Sequence, residues 1–79
     1  MHYVYVIKSS FYDTRYIGST DNVLKRITEH NKGKCRYTRG RKPWKLIYQE
    51  EYQTRSEAMK REKFLKSGQG RRWLDEKLK

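Results

Sequence analysis

Tyr5, Tyr16, Arg26, His30 and Glu62 are the residues of this chain whose types suit phosphate chemistry. A carboxylate such as Glu62 can hold Mg²⁺ or Mn²⁺, a hard cation that accepts one protein carboxylate plus waters and phosphate oxygens. Arg26 can neutralise charge that builds on phosphoryl oxygens. A tyrosine or histidine can orient or deprotonate an attacking water. An unperturbed phenol has a pKa near ~10, so a tyrosine base needs a cation or metal beside it. The combined chemistry is phosphodiester hydrolysis. Each residue also has a plainer role. Tyr5 and Tyr16 suit ordinary strands. Arg26 can pair with Glu29 or Glu62, His30 can complement a helix dipole, and Glu62 can pair with Lys66 four residues on.

These residues need elements to bring them together. Tyr3–Lys8 and Arg15–Ser19 are aromatic and β-branched runs joined by Ser9–Thr14, which is rich in turn formers, and they predict an antiparallel hairpin. Tyr3, Tyr5 and Ile7 share one face, Val4 and Val6 the other. Both faces carry apolar bulk, as a central strand requires. Gly18 permits close packing or close backbone approach. A helix capped by Thr20 or Asp21 runs to about Lys32 and stops at Gly33. Val23, Arg26, Ile27 and His30 form one stripe on it, so a cation and an imidazole sit on its inward face.

Gly33–Pro43 is a basic loop, too polar for core, in which Arg36, Arg39, Arg41 and Lys42 are expected to position phosphates rather than read bases. Trp44–Tyr52 predicts a third strand, with Trp44, Leu46 and Tyr48 alternating with Lys45, Ile47 and Gln49. Thr54 and Glu57 form a capping box that opens a helix to about Ser67. Its inward stripe is Ala58, Glu62 and Leu65, flanked by Met59 and Phe64. Gly68 and Gly70 break that helix, and Arg71–Leu78 forms a short last one. The expectation is one α+β domain spanning residues 1–79, a three-stranded antiparallel sheet flanked by helices in the order β-β-α-β-α-α.

Composition narrows the partners. Twenty basic residues against nine acidic ones give a net charge of +11. So much charge on so short a chain attracts polyanions, and clustered cations release counterions from a phosphate backbone. Nucleic acid, DNA first, is therefore the expected partner. A membrane surface is not, because neither helix pattern has the apolar face it needs. Only 34% of residues are hydrophobic, so the core is thin and aromatic side chains are expected to supply much of it. Cys35 is the only cysteine, which excludes an internal disulfide and fits a reducing cytoplasm. One cysteine and two histidines do not make a usual zinc site. No apolar run reaches the ~20 residues of a membrane span, and no signal peptide is apparent.

The ordered set Tyr5, Tyr16-Ile17-Gly18, Arg26, His30 and Glu62 resembles the GIY-YIG nuclease family, in particular its small stand-alone bacterial members. Tyr3-Val4-Tyr5 stands where that family has its GIY triplet, with Tyr3 replacing the glycine, and Tyr16-Ile17-Gly18 matches the YIG triplet. The resemblance covers nearly the whole chain. It implies Glu62 as metal ligand, Arg26 as the phosphate-stabilising residue and Tyr5 as general base. Tyr16 and His30 would position water or proton, and Gly18 would be structural at the edge of the site. The late asparagine of larger members has no counterpart, since Asn22 and Asn31 are the only asparagines. Two readings follow. One is a Mg²⁺-dependent endonuclease acting on DNA, structured or branched DNA included. The other is a nucleic-acid-binding module of the same fold with weak or no catalysis.

Overall fold

The central strand owes its place to its two apolar faces. In a computed structural model that describes residues 1–78, His2–Ser9 forms β1, paired antiparallel on one side with β2 (Arg15–Thr20) and on the other with β3 (Trp44–Tyr52), giving the sheet order β2-β1-β3. Val4 and Val6 are fully buried beneath Ile17, Ala58, Leu65 and Leu74. Tyr5 and Ile7 are buried on the opposite face with Val23 and Trp44. Helix α1 (Val23–Asn31) therefore covers one face, and α2 (Arg55–Lys66) and α3 (Gly68–Lys77) cover the other. The expected α+β order β-β-α-β-α-α is the observed one.

Local signals explain most boundaries. Asn22, not Thr20 or Asp21, caps α1, its Oδ1 accepting the Lys25 amide at 3.1 Å. Thr20 is the last residue of β2, and its hydroxyl is engaged with the Asn22 amide instead. Gly33 ends the helix with φ +81°, a conformation that suits glycine. Thr54 caps α2 as expected, its hydroxyl accepting the Glu57 amide at 3.2 Å, and the Glu57 carboxylate folds back to accept that hydroxyl at 3.0 Å. Such a cap contributes about 1 kcal/mol.

Strict alternation fails in β3. A bulge opposite Val6 and Ile7 pairs Val6 with Tyr48 and Ile7 with Leu46. Ile47 is the extra residue, and it packs with Tyr48 on the α2–α3 side instead of opposing it. The inward face of α2 also differs from the expected stripe. Met59 is exposed, whereas Arg61 turns inward. Its guanidinium bridges both oxygens of Glu50 and lies over Trp73, 4.6 Å from the ring centre. Glu50 also accepts the hydroxyls of Tyr48 and Tyr52, so one carboxylate ties β3 to α2. Burial alone would raise the Glu50 pKa, but these donors outweigh it and hold it below the usual carboxylate range.

Gly68 and Gly70 do not separate the helices. Ser67 caps α3, accepting the Gly70 amide, and both glycines lie in its first turn. A Cβ on Gly70 would stand 2.0 Å from the Phe64 carbonyl oxygen and 2.5 Å from the Leu65 Cα. The glycine is what lets α3 start against the end of α2. Aromatic side chains supply much of the core, as expected: Tyr5 and Trp44 are buried, Tyr3 and Tyr16 pack against them, and Tyr48, Tyr52, Phe64 and Trp73 pack against the aliphatic cluster on the other face.

Candidate active site

Tyr5 points from the centre of β1 toward α1, and β2 must make room for it. Tyr5 pairs with Gly18 in the hairpin register. A Cβ on residue 18 would stand 2.5 Å from the Tyr5 hydroxyl oxygen and 2.7 Å from Cζ, so the ring occupies the space that any other side chain would take. The phenol then meets His30, with 2.9 Å between Oη and Nε2.

His30 lies on the inward stripe of α1 and is fully buried. Its Nδ1 is 2.7 Å from the Thr38 hydroxyl, which donates to the Cys35 carbonyl at 3.4 Å. The hydroxyl has one proton; in the tautomer where that proton goes to Cys35, Thr38 accepts Nδ1–H. Nε2 is then the bare nitrogen that accepts the Tyr5 proton. Burial lowers the His30 pKa, with the Arg26 charge adding to the shift. Burial pushes the Tyr5 phenol up to about 12, although the Arg26 guanidinium facing it opposes the change. Both partners are thus neutral near pH 7.

Tyr16 packs edge-on to His30, with ring centres 5.1 Å apart, and against Tyr5 at 6.5 Å. Burial raises its pKa too. Arg26 sits on the α1 stripe beside these rings and donates to Glu29 at 3.2 Å. Burial works against its charge, but hydrogen bonds to Tyr5 and Glu29 prevail and hold the pKa above the usual value. Helix α2 lies across the sheet, yet β2 is an edge strand, and past it Lys66 Nζ comes 5.9 Å from the Tyr16 ring centre. Glu62 binds that ammonium at 2.7 Å, and its carboxylate is near enough to raise the pKa of both tyrosines. All five side chains expected to do chemistry therefore meet in one place. The plainer ion pairs, Arg26 with Glu29 and Glu62 with Lys66, form there as well.

The expected phosphate-positioning residues divide less evenly. Arg36, Arg39, Arg41 and Lys42 are all exposed on the α1–β3 loop. Arg41 lies over the Tyr37 ring at 5.5 Å, and Tyr37 packs on Tyr16 at 5.5 Å. The loop is not wholly outside the core, however. Thr38 is fully buried, and its carbonyl accepts the Trp44 indole N–H at 2.8 Å. Sequence reasoning missed Thr38, and an isolated threonine in a basic loop offers no signal for it. It also missed Asn31, whose amide exchanges two hydrogen bonds with the Trp44 backbone and so fixes the end of α1 to β3.

Residues 1–75 match the model of the GIY-YIG catalytic domain. The chain belongs to the GIY-YIG family. It is 46% identical over 67 residues to a UPF0213 protein of Staphylococcus haemolyticus, covering 84% of this chain and 80% of that protein. A UPF0213 protein of Natronomonas pharaonis is 46% identical over 67 residues, covering 84% and 78%. The solution NMR structure of a UPF0213 protein from Bacillus halodurans superposes with a TM-score of 0.56 at 35% identity, covering 95% of this chain and 82% of that one. The GIY-YIG triplets of this chain fall on β1 and β2, where Tyr5, Tyr16 and Gly18 share one register.

GIY-YIG nucleases are generally metal-dependent, and the donor set here bears on that. Among the described residues no three carboxylate, histidine or cysteine groups cluster. Glu62 lies near enough to Tyr5 and Tyr16 to raise their pKa values, and it holds the Lys66 ammonium. One carboxylate that already holds a cation fits Mg²⁺ or Mn²⁺, whose remaining positions go to water and phosphate oxygens. It does not fit zinc, which wants a cage of protein donors. Asn22 caps α1 and Asn31 ties it to β3, so neither stands in for the late asparagine of larger GIY-YIG members. No helix among the described residues is long and apolar enough to cross a membrane.

Proposed function

We propose that residues 1–79 act as one catalytic domain, a Mg²⁺- or Mn²⁺-dependent endonuclease that hydrolyses phosphodiester bonds in DNA, structured or branched DNA among its substrates. One observation carries the reading. Tyr5, Tyr16, Arg26, His30 and Glu62 come from four separate elements and meet around a buried Tyr5–His30 hydrogen bond. A purely binding surface has no need to desolvate an imidazole and a phenol together. The reducing cytoplasm is the compartment that this reading and the lone Cys35 suit.

Each residue has a role set by its surroundings. Glu62 would hold the metal, with Lys66 yielding its place. When bound, the metal polarises the phosphate and stabilises the leaving oxygen. Arg26 neutralises charge on the phosphoryl oxygens. Tyr5 cannot wait as a phenolate, because with a pKa of about 12 the ionised form is scarce at neutral pH. It serves as a relay. An O–H bond of the attacking water breaks, and its proton goes to Tyr5 Oη. The phenol proton passes to His30 Nε2, the water oxygen bonds phosphorus, and the opposite phosphorus–oxygen ester bond breaks, its electron pair leaving on the departing DNA oxygen, which takes a proton from solvent water. His30 is the final base, and Thr38 accepts the Nδ1–H of the resulting imidazolium. Tyr16 holds the water and packs the imidazole in place. Arg36, Arg39, Arg41 and Lys42 supply phosphate contacts that fix register without reading sequence.

The test is strand cleavage of labelled linear, nicked, branched and single-stranded DNA with matching RNA, in Mg²⁺, Mn²⁺ or EDTA, for the parent chain and Glu62→Ala. Metal-dependent cutting of DNA that is lost in the variant is expected. Cutting that persists in the variant would overturn the role of Glu62. Salt-sensitive binding without cutting in any metal would leave the binding module of the same fold.

A further inference from the structure

A groove of about 480 Å³ has Tyr16 in its wall and runs from there away from the Tyr5–His30 pair, past residues to which the hydrolysis gives no role. Its walls are the start of β2 with Arg15, the Tyr37 ring, and the α2–α3 junction with Lys66 and Arg71. Arg71 is exposed and makes no ion pair among the described residues. The hairpin loop runs into this groove at Asp13 and Thr14. At its tip Phe11 and Tyr12 are 78% and 55% exposed. These rings contribute nothing to either core.

The loop that carries them is nonetheless held firmly. The Ser9 hydroxyl is buried, accepts both the Phe11 and Tyr12 amides, and donates to the Arg41 carbonyl at 2.7 Å. The Ser10 amide donates to the Pro43 carbonyl at 3.0 Å. A fixed loop that presents two apolar rings to water serves a partner with flat apolar faces. The surrounding cations and the net charge of +11 require that partner to be a polyanion. Unpaired nucleic acid has both properties. Duplex bases are stacked on one another and offer only their edges.

Resting on the nuclease reading, we propose that this groove and the Phe11–Tyr12 tip bind an unpaired segment of the DNA strand next to the phosphate to be cut. Bases stack on Phe11, Tyr12 and the open side of Tyr37, while Arg71 follows the backbone; Arg15 is held by Asp75.

Binding rather than cleavage tests it, by fluorescence anisotropy in EDTA with labelled oligo-dT and a duplex of equal length. The parent chain should bind oligo-dT more tightly than duplex. Phe11→Ala with Tyr12→Ala should lose about tenfold or more in affinity for oligo-dT, as expected for lost base stacking, with little change for duplex. Circular dichroism checks that the double variant is folded. Phe11→Trp should retain affinity, and its fluorescence should be quenched by oligo-dT. Equal affinity for both DNAs, with no loss in the double variant and no quenching, would overturn the platform while leaving the nuclease reading intact. Preference for oligo-U over oligo-dT would overturn the choice of DNA. Absence of salt-dependent binding to any of these would overturn both readings.

Discussion

The Tyr5 ring lies where a side chain on Gly18 would otherwise stand, 2.5 Å from the hydroxyl to an idealised Cβ. Gly18→Ala should therefore displace the phenol from His30 without undoing the hairpin, since alanine is compatible with the strand backbone. A displacement near 1 Å costs on the order of 10²-fold in rate. Cleavage assays should show that loss with KM little changed. Near-parent activity would mean that Tyr5 is not the relay.

Thr38 should reveal itself through its hydroxyl. Thr38→Val keeps the shape but leaves His30 Nδ1 buried without its hydrogen-bond partner, which costs about 1–3 kcal/mol. Denaturant unfolding should register that loss, and ¹⁵N chemical shifts of His30 should show a changed tautomer ratio. Thr38→Ser should restore both. A structural role alone would restore stability without moving the tautomer.

Acid should inactivate the protein before it unfolds the sheet. Burial depresses the His30 pKa in the folded state, so the neutral form persists below the ordinary value of 6.5. The stability from neutral His30 is present above pH 6.5 and is lost as pH falls through the lower folded pKa. The kcat/KM profile should share that acid limb and stay level on the alkaline side to roughly pH 9, because Tyr5 titrates only at about 12. An acid limb unchanged in His30→Gln would assign it to another group.

Gly70→Ala should destabilise, against the ordinary gain of about 1 kcal/mol from replacing a helical glycine. The new methyl would meet the Phe64 carbonyl and the Leu65 Cα, which are backbone and cannot turn aside. The expected net cost is about 1–3 kcal/mol in urea unfolding. Gly68→Ala, where nothing lies within 4 Å, should cost little or stabilise, and it serves as the control.

How much of this was legible without coordinates depended on the range of the interaction. The alternation in His2–Ser9 has apolar residues on both faces, which demands a central strand whatever its neighbours are. The stripe Val23, Arg26, Ile27, His30 is a property of one helix, and Gly33 and the Thr54–Glu57 box end and begin helices by local hydrogen bonds. Motif order alone joins Tyr5, Tyr16, Arg26, His30 and Glu62. Tertiary packing decided the rest. The bulge at Ile47 depends on register with β1, the closeness of α3 to α2 depends on one absent methyl at Gly70, and Arg61 of α2 turns inward because Glu50 on β3 receives it. Thr38 is a threonine in a basic loop until the chain folds it beneath His30. A hydrogen bond between residues on different elements, such as that of Thr38 with His30, leaves no periodic trace in sequence.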